Sequence, residues 1–153
     1  MRPTLSTISD QVLEAEYIRR NCRQPGEAIN NKELAARHIK ALLVTERNIE
    51  KFVVLYLSAS LNLLSSEVLF TGTISTSAIY PREIVRRALE LSAASCIIGH
   101  NHPSGIIKSS RDDIDITKEI TKALDLVGVT LVDHIIIGYG QTNYCSMAEE
   151  GLL

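Results

Sequence analysis

Apolar and polar positions follow different periods along the chain, and the changes of period predict alternating helices and strands. After Asn31, a residue that caps helices well, apolar side chains recur at helical spacing until about residue 45. The runs 52–57 and 63–70 are short, apolar and rich in strand formers, and a turn lies between them. This part of the chain therefore predicts a helix followed by a β-hairpin.

The second half of the chain continues the alternation. Pro81 suits the first turn of a helix, residues 95–99 predict a buried strand, and Ser110 starts a further helix that ends at Gly128. Two more strands are predicted at 129–137 and 143–147. The side chains expected to face the core from the two helices are Ile84, Val85, Ala88 and Leu89, then Ile116, Ile120, Ala123, Leu124 and Val127. The pattern predicts an α/β (α+β) fold, with one mixed β-sheet flanked by helices.

The first 30 residues are more polar and charged than the rest of the chain. They predict a helix over residues 9–20, which ends before the strong breakers Pro25 and Gly26. A chain of 153 residues fits one ordinary domain. We therefore predict an N-terminal helical arm over residues 1–30 and a single domain over residues 31–153.

Composition narrows the class of protein. Charged residues make up 22% and hydrophobic residues 45%, as is typical of soluble globular proteins. The apolar runs are far shorter than the roughly 18 residues of a membrane span, and the chain opens without a secretory signal pattern. We therefore expect a cytoplasmic protein with no membrane partner.

Cysteine usage and charge add two expectations. Cys22, Cys96 and Cys145 are widely spaced and odd in number, which predicts free thiols in a reducing compartment. Cys96 stands in an apolar run, where a buried cysteine acts as a small hydrophobe. The formal net charge of -2 lacks the basic excess of proteins that neutralise many phosphates, so it gives no support for binding duplex DNA.

The segment from residue 100 to residue 113 carries the side chains of a metal site. His100 and His102 are two residues apart, so both project to one side of an extended backbone. Asp113 adds one oxygen ligand. Three protein ligands leave a fourth position on Zn²⁺ for water, whereas four make a closed structural site. The ligand count therefore favours a catalytic Zn²⁺ site.

These residues match the motif His-x-His, seven residues, then Ser-x-x-Asp, which resembles that of the JAMM metalloenzymes, also called the JAB or MPN-plus family. Other stretches resemble the RadC-type branch of this family, in the same order: 52–57, 70–73, 80–83, 100–105, 133–134 and 151–153. The resemblance implies a single JAB/MPN-like domain with a cytidine-deaminase-like three-layer architecture. It also implies Zn²⁺ as the cofactor and a peptide or protein as the substrate.

The resemblance further implies two catalytic residues. In the JAMM family the general base is a glutamate just ahead of an early core strand, and Glu50 occupies that position. Glu67, inside the second strand of the hairpin, is the competing candidate. Ser110 resembles the family serine that stabilises the oxyanion of a tetrahedral intermediate.

Ser110 and Asp113 also have a purely structural interpretation. Ser-x-x-Asp at a helix start is a capping-box pattern, in which the hydroxyl binds backbone amides, and the two roles are compatible. Ser109 and Asp112 form an overlapping Ser-x-x-Asp that helical phase alone does not reject. The family spacing selects Ser110 and Asp113. Asp115 projects away from the apolar stripe of the helix, and we exclude it.

The remaining features receive structural or specificity roles. His134 follows Asp133 in an apolar strand, resembles the family's Asp-His pair and is expected to be a satisfied structural histidine. His38 lies on a helix without ligands nearby, which favours a surface or packing role. The loop 106–109 is apolar where RadC-type relatives are polar, and it is expected to contact an apolar substrate segment or partner.

The leading hypothesis is a zinc-dependent hydrolase that cleaves a peptide or isopeptide-like amide. The alternative is a RadC-type DNA-repair or mobile-element accessory protein whose metal is mainly structural. The helix-hairpin-helix region of longer RadC-type proteins is not expected in a chain of this length, which weakens the alternative. A nuclease needs a basic cluster facing phosphate, and no such cluster is found in the sequence. A cytidine-type deaminase needs His-x-Glu with Pro-Cys-x-x-Cys, and the sequence lacks this motif.

Overall fold

A computed structural model describes residues 7–72, 79–140 and 143–153. Over these residues the chain forms helices and strands in the predicted alternation. They are α1 (Asp10–Asn21), α2 (Lys32–Leu42), β1 (Glu50–Leu57), β2 (Leu63–Gly72), α3 (Pro81–Glu90), β3 (Ser95–His102), α4 (Arg111–Asp125), β4 (Thr130–Gly138) and β5 (Tyr144–Ser146). Sequence analysis expects no secretory signal at the opening of the chain, and residues 1–6 lie outside the described residues. Thr73 of the family stretch 70–73 also lies outside them.

The strands form one five-stranded sheet in the order β2-β1-β3-β4-β5. β1 is antiparallel to both β2 and β3, and β4 is antiparallel to β5. β3 and β4 are parallel, and α4 supplies the crossover that a parallel pair requires. The predicted hairpin and the predicted mixed sheet are confirmed.

Helices cover both faces of the sheet and make three layers. Alternate residues of β1 point to opposite faces, and both faces are buried, which explains its nearly continuous apolar run. On one face Val53 and Leu55 pack with Ile39 of α2. On the other face Phe52 and its neighbours pack with the apolar stripes of α3 and α4. The three-layer α/β architecture expected from the resemblance is confirmed.

Two predicted core residues are in fact exposed. Leu89 is 54% exposed. It is the residue after the buried Ala88, and one step along a helix with about 3.6 residues per turn rotates the side chain by about 100°, away from the sheet. Val127 is 38% exposed, because α4 ends at Asp125. The prediction that these two side chains face the core was wrong, whereas Ile116, Ile120 and Leu124 are buried as expected.

His38 joins the segment before α2 to the sheet. Its side chain is buried, Nδ1 accepts a hydrogen bond from the Arg23 backbone N–H at 2.7 Å, and Nε2 lies 2.7 Å from Ser66 Oγ. The Gly26 N–H donates to the Leu63 carbonyl and the Leu63 N–H donates to the Glu27 carbonyl, and these backbone hydrogen bonds attach the same segment to β2. The packing role predicted for His38 is confirmed, and the boundary at residue 30 stays a prediction.

No helix in the described part of the chain combines the length and apolar character needed to cross a bilayer. The three cysteines are free thiols, as predicted. Cys96 is fully buried, and burial raises the pKa of its thiol to about 12.

Candidate metal centre

Three side chains that can ligate a metal converge where β3 ends and α4 begins. β3 extends further than predicted, so His100 and His102 both lie on the strand and face the same side of the sheet. Asp113 lies in the first turn of α4. One ligand atom from each of the three residues lies within 4.8 Å of the others. The structure therefore brings together the three predicted ligands.

The atoms of this cluster are closely spaced. His100 Nε2 is 2.8 Å from His102 Nε2 and 3.2 Å from Asp113 Oδ1. Asp113 Oδ2 is 3.5 Å from His102 Nε2. His100 and Asp113 are buried, whereas His102 is half-buried. The cluster is thus enclosed on its inner side and reached from the side of His102.

The N-terminus of α4 fixes the Asp113 carboxylate. Ser110 is the N-cap, and its Oγ accepts a hydrogen bond from the Asp113 backbone N–H at 3.1 Å. Asp113 Oδ2 accepts one from the Ser110 backbone N–H at 2.7 Å, which completes the predicted capping box. Because Ser110 Oγ is the acceptor in this pair, its hydroxyl proton can still be donated to another group.

A tight loop after β3 orients His102. His102 Nδ1 lies 2.7 Å from the Ile106 carbonyl oxygen, which can only accept, so Nδ1 carries a proton and Nε2 faces the cluster. The loop lies directly against Gly138 of β4, where an added Cβ atom would overlap the Gly105 carbonyl oxygen. Gly138 is therefore required for the loop to approach the sheet.

His100 is supported from the core. Its Nδ1 lies 2.7 Å from His134 Nε2, and His134 Nδ1 lies 2.6 Å from Thr117 Oγ1. The Phe52 ring stacks beside His100, with centroids 6.4 Å apart and planes at 15°. His134 is a satisfied buried histidine, as predicted, and it also contacts His100 directly.

Electrostatics favour an ionised carboxylate between the imidazoles. Burial opposes ionisation of Asp113, but the adjacent imidazoles of His100 and His102 hold the pKa of the carboxyl well below its ordinary value. The Asp113 carboxylate in turn raises the pKa of His102 against the opposing effect of burial. Full burial lowers the pKa of His134 well below its ordinary value, so its imidazole is neutral.

The donor set fits a divalent metal. Two imidazoles whose Nε2 atoms face the cluster and one ionised carboxylate are the ligand types of catalytic zinc sites, in which three protein groups leave one position open. The same donor types also accept other transition metals.

Glu50 lies beside this cluster. It is the first residue of β1 and lines, with His102, a cleft of about 740 Å³. Asn101 holds the backbone on both sides of Glu50: its Oδ1 accepts from the Lys51 N–H at 2.8 Å, and its Nδ2 donates to the Ile49 carbonyl at 2.9 Å. The residues lining the cleft are Asn48, Ile49, Glu50, Gly72, His102, Pro103, Ser104, Ile106 and Lys108.

The competing carboxylates lie elsewhere. Glu67 Oε1 accepts a hydrogen bond from Arg87 Nε of α3 at 2.6 Å. Asp112 is exposed, and Asp115 pairs with Arg111 at 3.7 Å. Glu50 is thus the candidate base that lines the cleft with His102, and Asp113 is the aspartate grouped with the histidines.

Comparison with known proteins agrees with this geometry. Residues 29–152 match the family model described as the RadC-like JAB domain. The chain belongs to this family. The RadC-like JAB domain accordingly includes every strand of the sheet and all residues of the candidate centre.

Several relatives of this RadC-like chain are UPF0758 proteins. One from Photobacterium profundum is 44% identical over 117 residues, which cover 76% of this chain and 51% of the relative. One from Pseudomonas syringae pv. tomato is 43% identical over 139 residues, 91% of this chain and 58% of the relative. One from Aliivibrio salmonicida is 42% identical over 125 residues, 82% of this chain and 54% of the relative. The chain spans about half the length of these relatives.

Sequence analysis did not predict the contacts that two residues of this RadC-like site make. Thr117 stands in the α4 sequence as an ordinary helix residue, and its bond to His134 arises only from the packing of α4 on β4. Asn101 belongs to the family stretch 100–105, but its bonds to residues 49 and 51 depend on the pairing of β1 with β3. Asn101 lies between two candidate ligands on an extended strand, so its side chain points to the opposite side from theirs. That position was the one sequence signal that Asn101 contacts a neighbouring strand.

Proposed function

We propose that this chain is a metal-dependent hydrolase that cleaves an amide bond of a peptide or protein, with Zn²⁺ as its cofactor. The observation that carries the proposal is the convergence of His100, His102 and Asp113 beside an open cleft. A site meant only to hold the fold together is expected to be closed by a fourth protein ligand.

The residues around the cluster suit the steps of amide hydrolysis. His100, His102 and Asp113 would hold Zn²⁺, which would lower the pKa of a bound water to about 7. Glu50, at the cleft beside His102, accepts the proton of the attacking water and passes it to the leaving amine. The Ser110 hydroxyl, exposed at the N-terminus of α4, donates to the carbonyl oxygen as negative charge develops there.

The cleft suits a peptide chain. Ile49 is 38% exposed and Ile106 is 62% exposed, so two apolar side chains line it. Lys108 adds a positive charge at the same cleft. A peptide with an apolar residue and a carboxylate near the cleaved bond matches these walls.

The DNA-binding alternative draws little support from the charges of α3. Arg86 pairs with Glu83 and Glu90, and Arg87 pairs with Glu67 and Glu90, so carboxylates neutralise these arginines within the protein. Salt-dependent binding of duplex DNA that persists in Asp113→Ala would support that alternative over hydrolysis.

The test compares zinc-loaded wild type with Glu50→Gln on a mixture of proteome-derived peptides, with new termini detected by mass spectrometry. Glu67→Gln is the matched control, because it removes a carboxylate from the hairpin but not from the cleft. We expect Glu50→Gln to retain zinc and to lose at least about 100-fold in cleavage rate, as for removal of a general base. Equal cleavage by wild type and Glu50→Gln, or no cleavage by zinc-loaded wild type, contradicts the proposal.

A further inference from the structure

The candidate ligand His100 is connected to α4 by a chain of three buried hydrogen bonds. His100 Nδ1 lies 2.7 Å from His134 Nε2, His134 Nδ1 lies 2.6 Å from Thr117 Oγ1, and Thr117 Oγ1 lies 2.5 Å from the Asp113 carbonyl oxygen. His100, Thr117 and His134 are at most 1% exposed. The chain therefore begins and ends on candidate metal ligands, since Asp113 also supplies the carboxylate of the cluster.

The direction of each bond follows from the groups at the Thr117 end. A carbonyl oxygen only accepts hydrogen bonds, so the single hydroxyl proton of Thr117 is donated to Asp113. The sulfur of Met147, 3.7 Å from Thr117 Oγ1, is likewise an acceptor. Thr117 Oγ1 must then accept from His134, which places the proton of His134 on Nδ1.

The next bond is fixed in the same way. A neutral imidazole has one donor and one acceptor, so His134 Nε2 accepts the proton of His100 Nδ1. His100 Nε2 then has no proton of its own, and its lone pair points at His102 and Asp113. Nδ1–H is the tautomer that His100 needs in order to ligate a metal through Nε2.

We propose that Thr117 and His134 are positioning residues that hold His100 in the Nδ1–H tautomer and thereby prepare its Nε2 to bind the metal. This inference rests on the proposed metal site. It goes beyond the ligand set, because neither Thr117 nor His134 contributes an atom to that set. A hydroxyl buried beneath the cluster thus governs the metal affinity of a histidine on another element.

The first test measures zinc affinity of purified wild type and Thr117→Val by competition with a chromophoric chelator. Valine has nearly the shape of threonine but cannot accept from His134, so the preferred proton position on His134, and with it that on His100, is lost. We expect affinity to fall about 10- to 100-fold, as for other groups that orient a metal-binding histidine. Thr117→Ser keeps the hydroxyl and should restore most of the affinity.

A matched control separates orientation from general destabilisation. His38 is also a buried histidine with two hydrogen bonds, but its partners are Arg23 and Ser66, away from the cluster. His38→Ala removes both bonds and should lower stability while leaving zinc affinity at the wild-type value. Wild-type affinity in folded Thr117→Val, or an equal loss in His38→Ala, overturns the inference.

A second measurement reads the tautomer itself and needs no bound metal. Nitrogen-15 NMR of metal-free wild type should show His100 and His134 protonated on Nδ1. A His100 protonated on Nε2 in wild type overturns the inference whatever the metal affinity. Conversely, a wild-type protein with the expected tautomers that binds no zinc supports the orientation by Thr117 and His134 while refuting the proposed hydrolase.

If Thr117→Val does not fold, variants of His134 replace it in the affinity measurement. His134→Gln should keep zinc affinity, because an amide can serve both hydrogen-bond partners, whereas His134→Leu should lose it.

Discussion

Replacing His38 by glutamine is expected to flatten the pH dependence of folding stability on the acidic side of neutrality. In the folded protein His38 is buried, and this burial lowers its pKa from 6.5 to about 4. The neutral ring accepts from the Arg23 N–H through Nδ1 and binds Ser66 through Nε2. A proton on Nδ1 would abolish the first bond, so the folded state resists protonation.

The sign and size of the effect follow from this lowered pKa. Between pH 6.5 and 4 the unfolded chain binds a proton at His38 that the folded protein does not, so the contribution is fully present above pH 6.5 and is lost as the pH falls toward 4. With these two pKa values, the free energy of unfolding drops by about 2 kcal/mol between pH 7.5 and pH 5 through this residue alone.

Urea unfolding of both proteins at several pH values measures the effect. Other groups titrate in both proteins, so the difference between the two profiles isolates His38. A glutamine amide can accept from Arg23 and donate to Ser66 without titrating, which makes it the appropriate replacement. Parallel profiles from pH 7.5 to pH 5 would refute the reasoning, because they would mean that His38 is protonated equally in the folded and unfolded states.

Three further predictions concern the centre and the core. Asn101→Ala removes both hydrogen bonds that flank Glu50, and we expect unfolding free energy to fall by about 2–4 kcal/mol in urea titrations while zinc binding persists. Gly138→Ala places a Cβ against the Gly105 carbonyl, so calorimetry should show a destabilisation of about 1–3 kcal/mol, and chelator competition should show weaker zinc binding through His102. Cys96 should resist iodoacetamide in the native protein and react after denaturation, as followed by intact mass, because burial raises its pKa to about 12.

The fold was largely predictable because its signals are local. Each strand of the hairpin carries its own apolar run, and the helices that start at Asn31, Pro81 and Ser110 each have a capping or first-turn residue. The errors at Leu89 and Val127 arose where a helical stripe was extended by one residue or past the helix end. Such ends depend on tertiary packing, which a single sequence does not contain.

The candidate metal ligands were predictable for a related reason. His100 and His102 end β3, and Asp113 starts α4, so the two successive elements of one strand-helix unit supply the whole set. A short loop makes the end of the strand and the start of the helix neighbours in space whatever the rest of the chain does. The choice of Asp113 over Asp112 required the family spacing, because helical phase alone left both open.

The supporting residues could not be found in this way, because their positions depend on which strands pair. Asn101 reaches residues 49 and 51 only because β1 lies beside β3, and His134 reaches His100 only because β4 lies on the other side. The strand order therefore determines what each neighbour of β3 contributes: β1 brings Glu50 to the cleft, and β4 brings a hydrogen-bond acceptor to the buried ligand. If β1 and β4 changed places in the sheet, the three candidate ligands would stay together. The candidate base Glu50 would no longer lie at the cleft, and His134 would no longer lie beside His100. Under the proposed mechanism the ligand motif alone is thus insufficient, and the central position of β3 in the sheet is the part of the fold on which the proposed activity depends.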